Sequence, residues 1–347
     1  MRDVFDDTRL DDPDVLEAAD APLRRLAEAG ARVRMEAGEA AEAVALLESD
    51  TAPRAIVAAG PDARLLRAVL EPWCPVPFVA WPGPSLPGWA GALDLVVVLA
   101  PAGGDAHTGS VVREAVRRGC ALITACPPYS VLAELAAGRH SSLLPTLTDD
   151  TLAVAVVMLQ ALHRIGVGPE VDSDNVAQVL DDVAISCSPH RDIASNPAKD
   201  LALALADATP LVWGGSVLAA RAARRVAEAI RRTSGRPALA ADAEHLLPVL
   251  AATRPRDLFA DPFADDDDAV PTRPGLVILH DGTEEASIRE ERGWLVSTAE
   301  SHDVRAQTID ATEGPEMARY AALLTTGLYT ATYLGVGLAR DDDRAAS

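Results

Sequence analysis

Apolar residues recur at helical spacing through "DVLEAADAPLRRLAEAGARVRMEAGEAAEAVALLE" (14–48), which predicts helix. After that the pattern changes. Four short apolar runs follow, "AIVAAG" (55–60), "VPFVAW" (76–81), "LDLVVVLA" (93–100) and "ALITA" (121–125), and "SSLLPT" (141–146) adds a fifth. Helical text separates the first from the second ("DARLLRAVLE") and the third from the fourth ("TGSVVREAVRRG"). The runs do not alternate apolar with polar, so both faces of each strand are buried, as in a parallel sheet covered by helices. The helix "DDTLAVAVVMLQALHRIGV" closes this region.

A polar connector with "DSDN" and "SCSPHRDIASNP" comes next. From Asn196 the rhythm restarts: helix "AKDLALALAD", strand "PLVWGG", helix 216–233, strand "RPALAA", helix, strand "GLVILHD", helix, strand "DVRAQTID" and helix 316–339. The expected organisation is an N-terminal helical segment (1–50), a first α/β subdomain (51–168), a connector (169–195) and a second α/β subdomain (196–347). The two subdomains share a rhythm without residue-by-residue identity. The long last helix, with Leu323, Leu324, Leu328, Tyr329, Tyr333 and Leu334, is read as core.

Composition narrows the function classes. The 347 residues are enough for two cores, and 49% hydrophobic with 24% charged residues is a globular balance. Aromatics make up only 4%, so the cores must be built from Ala, Val and Leu. The net charge of −21 repels nucleic acid and anionic membrane, and no basic stripe interrupts it. No apolar run reads as a membrane span, and the acidic N-terminus has no apolar leader pattern, so a cytoplasmic protein is expected. Cys74, Cys120, Cys126 and Cys187 form neither a CxxC nor a Cys/His cluster, and they read as small buried residues. The aspartates of "ADPFADDDDAVPTRPG" (260–275) lack regular ligand spacing and read as a solvated acidic loop. No metal site and no cofactor is expected.

One stretch has the parts of an anion cradle: strand Leu211–Trp213, then Gly214, Gly215 and Ser216, then a helix. The same parts also make an ordinary tight strand–helix turn with a capping serine. Both readings stay open on the residues alone.

Two flavodoxin-like halves, each with a Gly-bearing first strand–helix turn, resemble the sugar isomerase (SIS) fold. "NPAKDLALALADATPLVWGGSVLAARAARRVAEAI", "GLVILHDGTEEASIRE" and "LLTTGLYTATYLGVGLA" resemble the bifunctional phosphoglucose/phosphomannose isomerases in particular. In the first half, "LDLVVVLAPAGGDAHTGSVVREAVRRGCALITA" corresponds to their strand, phosphate loop, helix and next strand. The resemblance implies two SIS subdomains, each a parallel sheet with helices on both faces. It also implies a homodimer and a small-molecule sugar or sugar phosphate as partner.

Carried over residue by residue, the resemblance predicts a depleted site. The family's phosphate loop, Ser-x-Ser-Gly-Asn-Thr-x-x-Thr, falls on Ala100–Thr108, where only Gly103 and Thr108 match and Asp105 replaces a threonine. The family's other phosphate-binding turn falls on "AAGPDA", around Gly60, Pro61 and Asp62. A carboxylate beside a phosphate opposes it. The ligand-binding candidates are therefore Gly60, Gly103, Gly104, Thr108, Gly214, Gly215 and Ser216. The position of the family's proton-transferring Glu falls on Arg232, which cannot act as a carboxylate base. The family's C-terminal lysine has no counterpart, and the single lysine, Lys199, stands elsewhere. "ADAEHLLPVL" offers Glu244 and His245 as catalytic candidates, His245 at the position of the family's ring-opening histidine. The implied function is sugar-derivative binding with weak or no isomerase activity. The alternative is an active glucose 6-phosphate/mannose 6-phosphate aldose–ketose isomerase that uses Glu244 and His245.

Overall fold

Strand β1 (Ile56–Ala59) is hydrogen-bonded on both sides, to β2 (Phe78–Trp81) and to β3 (Leu95–Leu99), and β4 (Ala121–Cys126) and β5 (Ser141–Pro145) extend the sheet beyond β3. This is a computed structural model, and it describes residues 4–48, 52–60, 63–254 and 272–339. Every pairing in the sheet is parallel, in the order β2-β1-β3-β4-β5. A second sheet has the order β7-β6-β8-β9, with β6 (Ala208–Gly214), β7 (Leu239–Ala240), β8 (Arg273–His280) and β9 (Ala306–Asp310), again all parallel. Two parallel sheets wrapped by helices give the expected α/β class with two SIS-like subdomains.

Strands β1 and β3 are buried at every position, as their unbroken apolar text requires. On one side of the first sheet, helices α4 (Ala63–Leu70) and α7 (Thr151–Arg164) pack; on the other, α5 (Ala106–Arg118) and α6 (Val131–Ala136). The second sheet presents Leu211, Trp213, Leu276 and Ile278 to α11 (Ala243–Ala251) and α12 (Ala286–Ser301). The intervening α10 (Val217–Ser234) packs on β6, β7 and β8, and Val226 of that helix approaches Gly327 so closely that a Cβ there would lie 2.2 Å from it.

The helical text of 14–48 is broken in the structure. It forms α1 (Pro13–Ala18), α2 (Asp20–Ala27) and α3 (Ala29–Ala45). Pro22 has no N–H to return to the carbonyl four residues back, which separates α2 from α1. Helix α3 packs on α7 and β5. Its buried Glu36 accepts the backbone N–H groups of Leu147 and Thr148, and Arg32 pairs with Asp150 at 2.7 Å. The polar text of 169–195 also carries a helix, α8 (Ser173–Ser186). The chain groups into two compact units, Glu28–Asp181 with Pro315–Ala321, and Met1–Ala27 with Asp182–Gly314 and Ala322–Ser347. The acidic 260–271 stretch and Pro61–Asp62 lie outside the described residues.

The last helix, α13 (Glu316–Leu338), corrects one expectation, because by length and composition it is apolar enough to cross a membrane. Its most apolar window is 78% buried within the protein, which is how a core helix passes the same test. Tyr329 and Tyr333 on it are fully buried, and burial pushes both phenols well above the ordinary tyrosine value.

Lys199, on α9 (Pro197–Ala204), has no solvent exposure. Its ammonium uses all three donors, on Asp11 Oδ1 (2.8 Å), Pro189 O (2.9 Å) and Arg191 O (2.7 Å), and lies 5.6 Å from the Tyr333 ring centroid. The only lysine is therefore a structural cation that ties the N-terminal segment to the 189–191 turn. Asp11→Asn leaves that ammonium buried without its counter-charge. Urea unfolding should report a loss of about 3 kcal/mol, the low end for breaking a buried ion pair, because Asp11 itself is half exposed. Pairing Asp11→Ala with Lys199→Met, which removes both charges, should recover most of it.

Candidate functional site

In a doubly wound sheet, ligands bind outside the carboxyl ends of the strands, where consecutive connections leave in opposite directions. The orders above put those points between β1 and β3 in the first sheet and between β6 and β8 in the second.

The first crevice is a hollow of about 430 Å³ lined by Gly60, Trp81, Asp105, His107 and Thr108, with Arg64 at its rim. Gly60 (φ +98°), Gly103 (φ +90°) and Gly104 (φ +76°) all hold the left-handed conformation that favours glycine, so the shape of these turns depends on those glycines. Asp105 caps α5: its Oδ1 accepts both the backbone N–H and the hydroxyl of Thr108, each at 2.7 Å. Those two bonds, with a smaller contribution from the neighbouring His107, hold the Asp105 carboxyl below the usual carboxylate range. An anion-binding helix start offers such donors to a ligand. Here the chain's own carboxylate takes them. Thr108, an expected ligand residue, is buried with its hydroxyl engaged.

The second crevice repeats the arrangement with different residues. Ser216 caps α10, its Oγ accepting from the Ala219 N–H at 3.0 Å. The same hydroxyl donates to Oδ2 of Asp281, which is 4% exposed, while the other Asp281 oxygen accepts from Thr283 N at 3.2 Å. The glycine pair is explained by close approach. A Cβ on Gly214 would lie 2.3 Å from the Ala219 backbone carbon, and one on Gly215 would lie 2.4 Å from Ile288. Neither has a positive φ. The turn therefore needs both glycines whether or not a ligand visits.

Glu244 and His245 stand on the first turn of α11, which follows β7. Their side chains are 78% and 68% exposed, with His245 Nε2 3.5 Å from Glu244 Oε1. Arg232 sits in the last turn of α10. Sequence reasoning missed the ends of β8 and β9. There His280 Nδ1 lies 3.0 Å from Asp310 Oδ1, beside the Asp281–Ser216 pair. The available signal was a polar His-Asp pair directly after the apolar "GLVIL".

Residues 194–344 match the family described as the bacterial phospho-glucose isomerase C-terminal SIS domain. No curated protein matches the chain's sequence. Its structure is similar to tagatose-6-phosphate ketose/aldose isomerase from Escherichia coli, with a TM-score of 0.66, 13% identity, and coverage of 94% of this chain and 95% of that one. It is also similar to the C-terminal domain of glucosamine-fructose-6-phosphate aminotransferase from Francisella tularensis, with a TM-score of 0.57, 10% identity, and coverage of 88% and 95%. At these identities the likeness is one of fold.

The Asp105 cap gives a pH-dependent prediction. Its folded-state pKa is depressed, so its contribution to stability is present above the unfolded carboxylate value of about 4 and is lost as pH falls through the lower folded value. Asp105→Ala should cost about 1 kcal/mol at pH 7, as loss of an N-cap does. The difference in melting temperature between the two proteins should narrow progressively as pH falls below about 4. A gap independent of pH would contradict the assignment.

Proposed function

We propose, from the match of residues 194–344 to the family described as the bacterial phospho-glucose isomerase C-terminal SIS domain, that the chain binds a sugar or sugar derivative without running that family's usual isomerisation. The observation that carries the reading is the Asp105–Thr108 cap, which puts a carboxylate on the donors that would otherwise meet a ligand phosphate. The Asp281–Ser216 pair makes the second crevice equally unwelcoming to an anion. Two unit charges about 4 Å apart oppose each other by several kcal/mol at an effective dielectric near 20. Arg232 in place of a carboxylate base, and a lone lysine consumed by structure, support the loss of turnover.

In this reading the protein is a cytoplasmic homodimer. One observation favours the active alternative. Glu244 and His245 are adjacent and open to solvent on a first helical turn, so a second copy of the chain has access to them. An aldose–ketose isomerase built on that pair would use His245 to open the ring and Glu244 to move the proton between C1 and C2.

A coupled assay with fructose 6-phosphate and mannose 6-phosphate separates the two. The expected result is no turnover above the enzyme-free blank, together with a rise in melting temperature on adding an unphosphorylated hexose. Turnover that disappears in His245→Ala or Glu244→Ala would establish the alternative.

A further inference from the structure

The end of β8 holds an arrangement that neither the resemblance nor the family assignment uses. His280 is the last residue of β8, and Asp310, its register partner, is the last of β9. A neutral imidazole that donates its Nδ1–H to the Asp310 carboxylate at 3.0 Å keeps its lone pair on Nε2. That Nε2 is buried, and it has no hydrogen-bond partner among the described residues. Glu284 Oε1 stands 3.9 Å from it, beyond hydrogen-bond reach. Glu284 itself is 64% exposed and approaches Arg289 Nε at 3.8 Å. A buried polar atom without a partner is costly, and in a native protein it calls for an explanation.

Place and chemistry supply one. The carboxyl ends of parallel strands are where such sheets receive ligands. Nε2 is an acceptor, so it calls for a donor. The carboxylates that flank the ring, Glu284 and Asp310, are acceptors as well, and together they disfavour phosphate or carboxylate. A hydroxyl is the donor that suits such a setting without bringing negative charge.

We propose that His280, oriented by Asp310, is a hydroxyl-binding residue for the polyol portion of a sugar ligand, with Nε2 accepting a ligand O–H. This rests on the sugar-binding reading above and adds the subsite to it. Asp310 acts through His280 as a positioning residue, fixing the tautomer that leaves Nε2 free to accept. The 64% exposed Glu284 side chain is the group that must shift to admit the ligand.

The test uses the full-length protein labelled with ¹⁵N in its histidines, titrated in separate arms with fructose, sorbitol and fructose 6-phosphate. Binding is followed by melting temperature, and the ring nitrogens by long-range ¹H–¹⁵N correlation. His280→Gln identifies the His280 signals by their disappearance. In the unmodified protein, fructose or sorbitol should move the His280 Nε2 resonance while Nδ1 stays on Asp310. His280→Gln and Asp310→Ala should each weaken binding about tenfold, the scale of one lost hydrogen bond to a neutral group. If a sugar raises the melting temperature but the Nε2 resonance stays fixed and His280→Gln binds as before, the subsite is wrong and the sugar-binding reading stands. If no sugar changes the melting curve, the sugar-binding reading itself fails and the subsite with it. The wild-type spectrum decides between these outcomes even if the variants fold poorly.

Discussion

The first turn of a helix that follows a parallel strand presents unpaired N–H groups, and something electronegative must meet them. This constraint organises both subdomains. In many folds of this layout the partner is a ligand's phosphate. Here α5 is met by Asp105 through Thr108, and α10 by Ser216, whose hydroxyl leans on buried Asp281. The geometry that makes such a crevice attractive to anions is intact at both switch points. Its electrostatic demand is answered from within the chain.

An internal carboxylate competes with a ligand on favourable terms. It is tethered three residues from the donors it satisfies, so it gives up little freedom in binding them, whereas a free phosphate loses its translational freedom. It also leaves a fixed negative charge that a second anion must approach. What remains at these edges, apart from Arg64 in the first crevice and Arg289 beside Glu284 in the second, is largely a set of acceptors, which suits donors such as sugar hydroxyls better than phosphoryl oxygens.

Much of the architecture was legible in the sequence because the parallel strands have no exposed face. Val96–Leu99 and Val277–Leu279 read as unbroken apolar runs and are buried throughout. The helices between them carried their own apolar faces. The break near Pro22 was visible in principle, while the helix in 173–186 was hidden by its polar text. The site was legible only in part. That Asp105 replaces a hydroxyl could be read, but its role as a cap on Thr108 depends on the backbone turning at Gly103 and Gly104. The Ser216–Asp281 and His280–Asp310 pairs join residues 65 and 30 positions apart, and only the sheet order brings them together. The glycine pair at 214–215 suggested a ligand cradle, yet the atoms crowding both positions account for it by packing alone.

The central claim is that the chain's own carboxylate occupies the anion position at the start of α5. A crystal structure of the protein soaked in a hexose 6-phosphate tests it most directly. The account predicts that Asp105 Oδ1 stays on the Thr108 N–H and hydroxyl, with no phosphate density against Ala100–Thr108. A phosphate oxygen on the Thr108 N–H, with Asp105 swung away, would contradict it.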